Sequence, residues 1–264
     1  MTDPNFLQGV IALITKVGAF LKEEQTKIKA KDVDSKSLNS LVTYVDKKAE
    51  EFLVSGLSDL LPGSGFIAEE GTSTKTGEVY NWIIDPLDGT TNFIHQLPMY
   101  SISVALTQNQ ELLLGFVYLP HLNEFFYAIK DQGAFLNNTP IAVSNQSSIN
   151  ESLIATGFPY YDFERLTEYQ QTLSYFLKNT RGVRRMGSAA IDLAYVAAGK
   201  FEGFYEYNLN PWDVAAGALI VQEAGGKVTQ FDGGDDFVFG RSIIASNHST
   251  HQKIQEIIHE RISI

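Results

Sequence analysis

Cysteine is absent from this 264-residue chain. That removes disulfides, thiolate metal sites and a cysteine nucleophile, and it suits a reducing cytoplasm. Positive charge is scarce: 20 Lys and Arg against 31 Asp and Glu leave a formal net charge of −11. Affinity for nucleic acid comes from Lys and Arg neutralising phosphates, so this balance argues against a nucleic-acid partner. It also means that an anionic ligand needs a local positive centre, most simply a bound metal ion. Long apolar runs are missing. None approaches the ~20 residues that cross a bilayer, so no membrane partner is expected. Met1-Thr2-Asp3-Pro4-Asn5 lacks the basic start of a signal peptide. Histidine is sparse, and His95, His121, His248, His251 and His259 form no metal set, so surface or capping roles are expected for most of them. The 44% hydrophobic content is enough for a sizeable core in one large domain or two modest ones, and a cytoplasmic protein is expected.

What the chain does have is a dense run, Trp82-Ile83-Ile84-Asp85-Pro86-Leu87-Asp88-Gly89-Thr90-Thr91-Asn92-Phe93. Trp82 to Ile84 reads as a buried strand, because bulky and β-branched residues run together. Asp85 is expected to end it and Pro86 to stop the ladder, since proline has no N–H to donate. Asp88-Gly89 signals a turn, and Thr90, Thr91 and Asn92 are N-cap residues for a following helical turn. Asp-Pro and Asp-Gly also make ordinary turns. The functional reading is that Asp85 and Asp88 stand together at a rigid strand end. There they can share hard cations, while the N–H groups of a helix start favour phosphate. Metal and phosphate together point to metal-assisted phosphate chemistry.

Upstream, Leu7, Val10, Ile11, Ile14, Val17 and Leu21 keep helical spacing, as do Val45, Ala49, Phe52, Leu53 and Leu57 behind the N-cap candidate Thr43. Residues 31–42 between them read as a polar loop. Pro62-Gly63 ends the second helix, and Gly65 to Ala68 makes a short strand that delivers Glu69-Glu70. Downstream, strands over 101–107, 112–119, 124–129 and 134–136 with short turns predict an antiparallel meander that ends at Asn137-Asn138-Thr139-Pro140. A polar link, Ser144 to Ser148, sets a domain boundary dividing the chain into 1–145 and 146–264. In the second part, strands at 153–156, 201–207, 227–229 and 243–245 alternate with helices over 162–178, 189–198, 212–223 and 250–262, which is α/β layering. Glu69, Asp85, Asp88 and Asp213 then form a coherent set. Each is expected at a strand end or helix start, where a side chain reaches a cleft from a rigid backbone. Clustered carboxylates repel unless a cation neutralises them, and oxygen ligands without histidine or cysteine favour Mg²⁺ over Zn²⁺.

Asp85 through Phe93 resembles the first signature of the inositol monophosphatase family, and Trp212-Asp213-Val214-Ala215-Ala216-Gly217 resembles its second. Glu69-Glu70 stands where the family places a metal-binding glutamate, with Ala68 in place of the glycine of many relatives. These features keep the family's order, and the resemblance spans nearly the whole chain. It implies alternating helix and sheet layers, an α-β-α-β-α sandwich of the sugar phosphatase type. It implies a Mg²⁺-dependent phosphomonoesterase that hydrolyses myo-inositol monophosphate to inositol and phosphate by a metal-activated water, is inhibited by Li⁺ and forms a homodimer. Two or three Mg²⁺ ions per site are implied. Glu69, Asp85 and the carbonyl of Leu87 would hold one, Asp85, Asp88 and Asp213 a second, and Glu69 a third, weaker one.

The same resemblance assigns further roles. Thr43-Tyr44-Val45-Asp46 is similar to the family's Thr-x-x-Asp, which implies that Asp46 bonds to Thr90, the residue that orients the water or accepts its proton. Lys36 matches a loop lysine that helps position metal and water. N–H groups of Gly89 and Thr90 are expected to hold phosphate beside Asp88 and Asp213. Gly187-Ser188-Ala189 resembles a substrate-facing segment. Glu206, seven residues before Asp213, matches a glutamate that binds an inositol hydroxyl, and its place between Tyr205 and Tyr207 on a strand is equally that of a solvent-facing residue. Arg184 and Arg185 serve either the substrate or a subunit contact.

Within the superfamily the alternatives are fructose-1,6-bisphosphatase activity, broad sugar-phosphate specificity, histidinol phosphatase activity and a 3′-phosphoadenosine nucleotidase. The last often has Lys-Glu after Asp-Gly-Thr, where this chain has Thr91-Asn92. A non-catalytic metal-binding descendant is the alternative of another class. The joint presence of Glu69, Asp85, Asp88, Thr90 and Asp213 argues against it.

Overall fold

The computed structural model describes residues 3–28, 33–37, 40–159 and 162–262. α1 (Pro4–Gln25) starts behind Asp3, whose carboxylate accepts the Asn5 N–H at 3.0 Å. Its stripe of Val10, Ile14, Val17 and Leu21 packs in one core with Val45, Ala49, Leu53 and Leu57 of α2 (Tyr44–Leu60). Burying each such side chain stabilises by ~1.5–3 kcal/mol, so the stripe is a packing surface. By length and composition alone α1 would pass as a membrane span, contrary to the expectation that no such stretch exists.

Between the two helices the predicted loop is a hairpin of β1 (Val33–Ser37) and β2 (Ser40–Thr43), antiparallel with an irregularity between Ser35 and Ser37. Asp, Lys and Ser fill β1 where apolar alternation would mark a strand, which is why the pattern hid it. Lys36 falls on β1, and its side chain lies outside the described residues.

A seven-stranded sheet follows the chain in order: β3 (Gly65–Ala68), β4 (Tyr80–Asp88), β5 (Ser101–Gln108), β6 (Glu111–Leu119), β7 (Glu124–Ile129), β8 (Gly133–Leu136) and β9 (Thr139–Ile141). Only the β3–β4 pair is parallel. β9 extends the meander past its expected end. Side chains alternate across the sheet: Trp82 and Ile84 pack with α1 and α2, and Ile83 packs on the opposite face.

β4 does not end at Asp85. It runs on through Pro86 to Asp88, pairing Asp85 with Ser103 and Asp88 with Ser101, and the ladder is irregular between them. Pro86 has no N–H to give, so the strand is distorted there without stopping. The short helix α3 (Thr90–Ile94) springs from Gly89, which has φ 98° and no side-chain cap bond. The cap is therefore Gly89, not Thr90, Thr91 or Asn92. Glycine takes this left-handed conformation without steric cost.

The second sheet has the order β11-β10-β12-β14-β13, built from β10 (Leu153–Thr156), β11 (Gly182–Arg184), β12 (Gly203–Tyr207), β13 (Lys227–Thr229) and β14 (Ser242–Ser246). β10 runs parallel to both neighbours and β14 antiparallel to both of its own. β11 was not expected. α4 (Leu166–Asn179) begins later than residue 162 and leaves Phe163 exposed.

α5 (Ala189–Ala197) and α6 (Pro211–Glu223) lie between the two sheets, and α5 is buried along its whole length. A helix apolar on every side has to be enclosed. α4 and α7 (His251–His259) cover the outer face of the second sheet. The layers are α-β-α-β-α. His251 departs from the surface role expected of most histidines. It is buried, with Nε2 at 3.0 Å from Thr229 Oγ1 and Nδ1 at 2.8 Å from Ser246 Oγ, and burial pushes it down to about 4.

Candidate active site

The distorted end of β4 builds the centre of the site. Asp85 turns its Oδ1 back to accept the Leu87 N–H at 2.9 Å, which fixes the carboxylate and leaves the Leu87 carbonyl facing α3. That carbonyl accepts the Thr90 hydroxyl at 3.1 Å, and so does Asp46 Oδ1 at the same distance. Asp46 is itself anchored. Its Oδ2 accepts the Thr43 N–H at 2.8 Å and the Thr43 hydroxyl at 2.7 Å, the acidic half of an N-terminal box on α2. The expected Thr90–Asp46 contact is thus present.

Asp88 is held from the other half of the chain. Its Oδ2 accepts the Ser188 hydroxyl at 2.6 Å and the Ala190 N–H at 2.8 Å, both from the start of α5. Ser101 Oγ sits 3.0 Å from Ser188 Oγ and extends the chain of hydroxyls into β5. Asp213 stands in the first turn of α6, where its Oδ2 accepts the Asn210 N–H at 2.7 Å, and the Trp212 carbonyl accepts the Ser103 hydroxyl at 3.0 Å. Glu69 sits just past β3. Glu50, fully buried on α2, takes the Glu70 and Thr72 N–H groups at 2.7 and 2.8 Å and so pins the turn that carries Glu69.

Glu69, Asp85, Asp88, Thr90 and Asp213 line one cleft of about 150 Å³ together with Gly89, Gly187, Ser188 and Glu206. Its electrostatics are those of crowded negative charge. Burial raises the Asp85 carboxyl well above its ordinary range, and the charges of Glu69, Asp88 and Asp213 add to the effect. Asp88 is pushed up to about 6, burial again leading, while the bonds from Ser188 and Ala190 pull the other way. Asp213 is raised well above its range by burial and by Asp88. Asp46 is raised by burial, with the Thr43 bonds opposing. Carboxyls that raise one another in this way form an all-oxygen donor set that suits a hard divalent cation. Among the described residues, no three acidic or histidine side chains are drawn into a closed metal cage.

Glu206, which lines the same cleft, is buried on β12 and does not face solvent. Burial pushes it from its ordinary 4.5 to about 8, with Arg185 opposing. Arg185 lines the cleft and its guanidinium lies 5.5 Å from the Phe158 ring. Arg184 is exposed and donates to the Val183 carbonyl at 3.0 Å, so the two arginines part company.

Four residues have site roles that the sequence did not give them, Asn92 having been read as a helix cap and part of the first motif. Asn92 donates from Nδ2 to the Met99 carbonyl at 2.6 Å and the Met186 carbonyl at 2.8 Å, stitching the first motif to the Gly187 loop. A Cβ on Gly187 would meet that amide at 2.5 Å. Gly157 underlies Glu206, whose carboxyl carbon would lie 1.9 Å from a Cβ there. Ser101 and Asp192 complete the group. The only local signal was that Gly157 follows a predicted strand.

The comparisons agree with this geometry. The model of the inositol monophosphatase family matches residues 4–263. Among curated relatives, a putative Nus factor SuhB of Neisseria meningitidis is 42% identical over 96% of this chain and 97% of its own. An inositol-1-monophosphatase of Caulobacter vibrioides is 42% identical over 85% and 89%. A fructose-1,6-bisphosphatase/inositol-1-monophosphatase of Thermotoga maritima is 39% identical over 95% and 94%. The crystal structure of extragenic suppressor protein suhB from Bartonella henselae superposes with a TM-score of 0.92 at 36% identity, covering 97% of this chain and 99% of that one. Matched nearly end to end, with its acidic cleft built from the same two signatures, the chain belongs to the inositol monophosphatase family of metal-dependent phosphatases.

Proposed function

We propose that the chain is a Mg²⁺-dependent phosphomonoesterase acting on myo-inositol monophosphate, with two or three ions held by Glu69, Asp85, Asp88, Asp213 and the Leu87 carbonyl. When bound, such ions lower the pKa of water and offset charge on the phosphoryl group. The protein's own groups do the rest. Thr90 donates its hydroxyl proton toward Asp46 and Leu87. Its lone pairs are thereby free to accept a proton from the attacking water, with Asp46 as the next acceptor. N–H groups of Gly89 and Thr90 lie at the start of α3, where such donors have no intrahelical partner and can hold phosphate oxygens. Ser188 and Ala190 keep the Asp88 carboxylate aimed at the same point. In this reading 1–145 supplies the metal and phosphate motif, and 146–264 completes the substrate side.

The observation that carries the inositol assignment is Glu206, a buried carboxylate lining the same cleft as the Asp88–Thr90 motif. A hydroxyl-rich alcohol supplies the donors that such a carboxylate accepts. The test is phosphate release with Mg²⁺ from inositol 1-phosphate, fructose 1,6-bisphosphate, histidinol phosphate and 3′-phosphoadenosine 5′-phosphate. Clear preference for inositol 1-phosphate is expected, and preference for another ester overturns the substrate while keeping the chemistry.

The Thermotoga relative's double name supports a second reading, activity on fructose 1,6-bisphosphate as well, which the same panel reads. The name of the Neisseria relative supports a Nus-factor role alongside catalysis.

A further inference from the structure

α5 enters the cleft twice. Its first residues hold Asp88 through Ser188 and Ala190, and one turn later it presents Asp192. The Asp192 N–H bonds to the Ser188 carbonyl at 3.1 Å, so the helix fixes the spacing between them. Four residues of helix rise about 6 Å at 1.5 Å each, a span suited to a cyclic polyol whose phosphate lies by Asp88.

Asp192 is 1% exposed, and it lines the cleft beside Glu206 and Arg185. Its Oδ1 has no hydrogen-bond partner. A buried polar atom left unpaired costs ~1–3 kcal/mol, and native interiors leave few of them. The surrounding charges do not supply the missing donor. Burial pushes the Asp192 carboxyl well above its ordinary range, the negative charges of Glu206 and Asp88 push the same way, and Arg185 opposes. A carboxyl serving only to hold the fold would be saturated by internal donors, as Glu50 is. Asp192 instead keeps an acceptor that no internal donor meets, on a side chain that lines the cleft.

We propose that Asp192 is a second hydroxyl-recognising residue of the cleft, its under-satisfied carboxylate accepting from one ring hydroxyl of the phosphorylated polyol while Glu206 accepts from another. This rests on the phosphomonoesterase reading above. Recognition is then divided: the motif after β4 reads the phosphate, and β12 with α5 reads the alcohol. A site built to bond hydroxyls discriminates against esters that lack them, because its own buried groups stay unpaired.

The test measures kcat/KM for inositol 1-phosphate and for p-nitrophenyl phosphate, whose alcohol carries no other hydroxyl, and follows their ratio. Asp192→Leu keeps the shape and removes the acceptor. Asp192→Ala serves if the leucine does not fold, and Asp192→Asn keeps one acceptor oxygen. The ratio is expected to fall about tenfold or more in the leucine or alanine variant, mainly through KM for the inositol ester, and to recover in part with asparagine. Relief of an unpaired buried carboxyl should leave the melting temperature of the metal-free protein unchanged or higher. A ratio within about twofold of wild type overturns the proposal, including the case where both esters slow equally, because Asp192 would then act through Asp88 or the fold. A wild type that prefers fructose 1,6-bisphosphate overturns the inositol assignment alone, and the same ratio is then read with that ester.

Discussion

Thr90 Oγ1 lies 3.1 Å from Asp46 Oδ1 although 44 positions separate the two residues. Thr43 satisfies the second oxygen of that aspartate, so the carboxylate cannot swing away from Thr90. If the pair positions a proton acceptor, Thr90→Ala should lower kcat by about a hundredfold or more with little change in KM, and Thr90→Ser should retain much of the rate. Steady-state phosphate release at saturating Mg²⁺ decides it. An alanine variant with normal kcat removes Thr90 from the mechanism.

Asp88→Asn tests the metal assignment. Asparagine keeps an oxygen for the Ser188 and Ala190 donors, so the fold should persist, while the charge that a cation needs is gone. Turnover should fall at least about a thousandfold, with an unchanged circular dichroism spectrum. The metal-free variant should melt no lower than the metal-free wild type, because one member of a repelling set has been neutralised. Wild-type turnover would remove Asp88 from the ligand set.

Gly157→Ala should act on specificity rather than chemistry. The added Cβ cannot share space with the Glu206 carboxyl, which would have to move. Gly157 cannot easily retreat, since its carbonyl accepts the Tyr169 hydroxyl at 2.5 Å and Thr156 beside it donates to the Tyr205 carbonyl at 2.8 Å. We expect KM for inositol 1-phosphate to rise about tenfold, with a smaller effect on p-nitrophenyl phosphate. Equal effects on both esters would mean that the glycine matters to the fold alone.

Glu206 also gives a signed pH dependence. Burial raises its carboxyl from 4.5 to about 8 in the folded chain. The folded state therefore favours the protonated form. The stability this contributes is complete below the unfolded value and is lost as pH climbs through about 8. Metal-free wild type should lose stability between about pH 5 and about pH 9 by on the order of a few kcal/mol more than Glu206→Gln does. Thermal melts across that range measure it. Parallel curves for the two proteins would show that Glu206 is solvated.

The sequence by itself determined the local parts of this protein. Helical spacing placed α1 and α2, and strand runs with turn signals placed most of the meander, since side-chain spacing and backbone period are properties of neighbouring residues. The run from Asp85 to Phe93 and the pair Trp212-Asp213 carried the family, because metal and phosphate chemistry constrains consecutive residues at a strand end and a helix start. Local rules failed where local preference was overridden. β4 continues past Pro86 because Asp88 can still pair with Ser101. The hairpin of β1 and β2 forms on a polar sequence because strand pairing supplies what the pattern lacks.

Only the tertiary structure decided which distant residues share the cleft. Ser188 meets Asp88 across 100 positions, and Asn92 meets Met186 across 94. Glu206 could be read from its strand as exposed or as functional with equal justice. It faces the cleft because layering puts both sheets and α5 around one point. Asp192 had no motif at all. Whether a carboxylate on a helix is solvated or buried with an open acceptor depends on what packs around that helix, and this follows from the closure of the layers rather than from its neighbours in the chain.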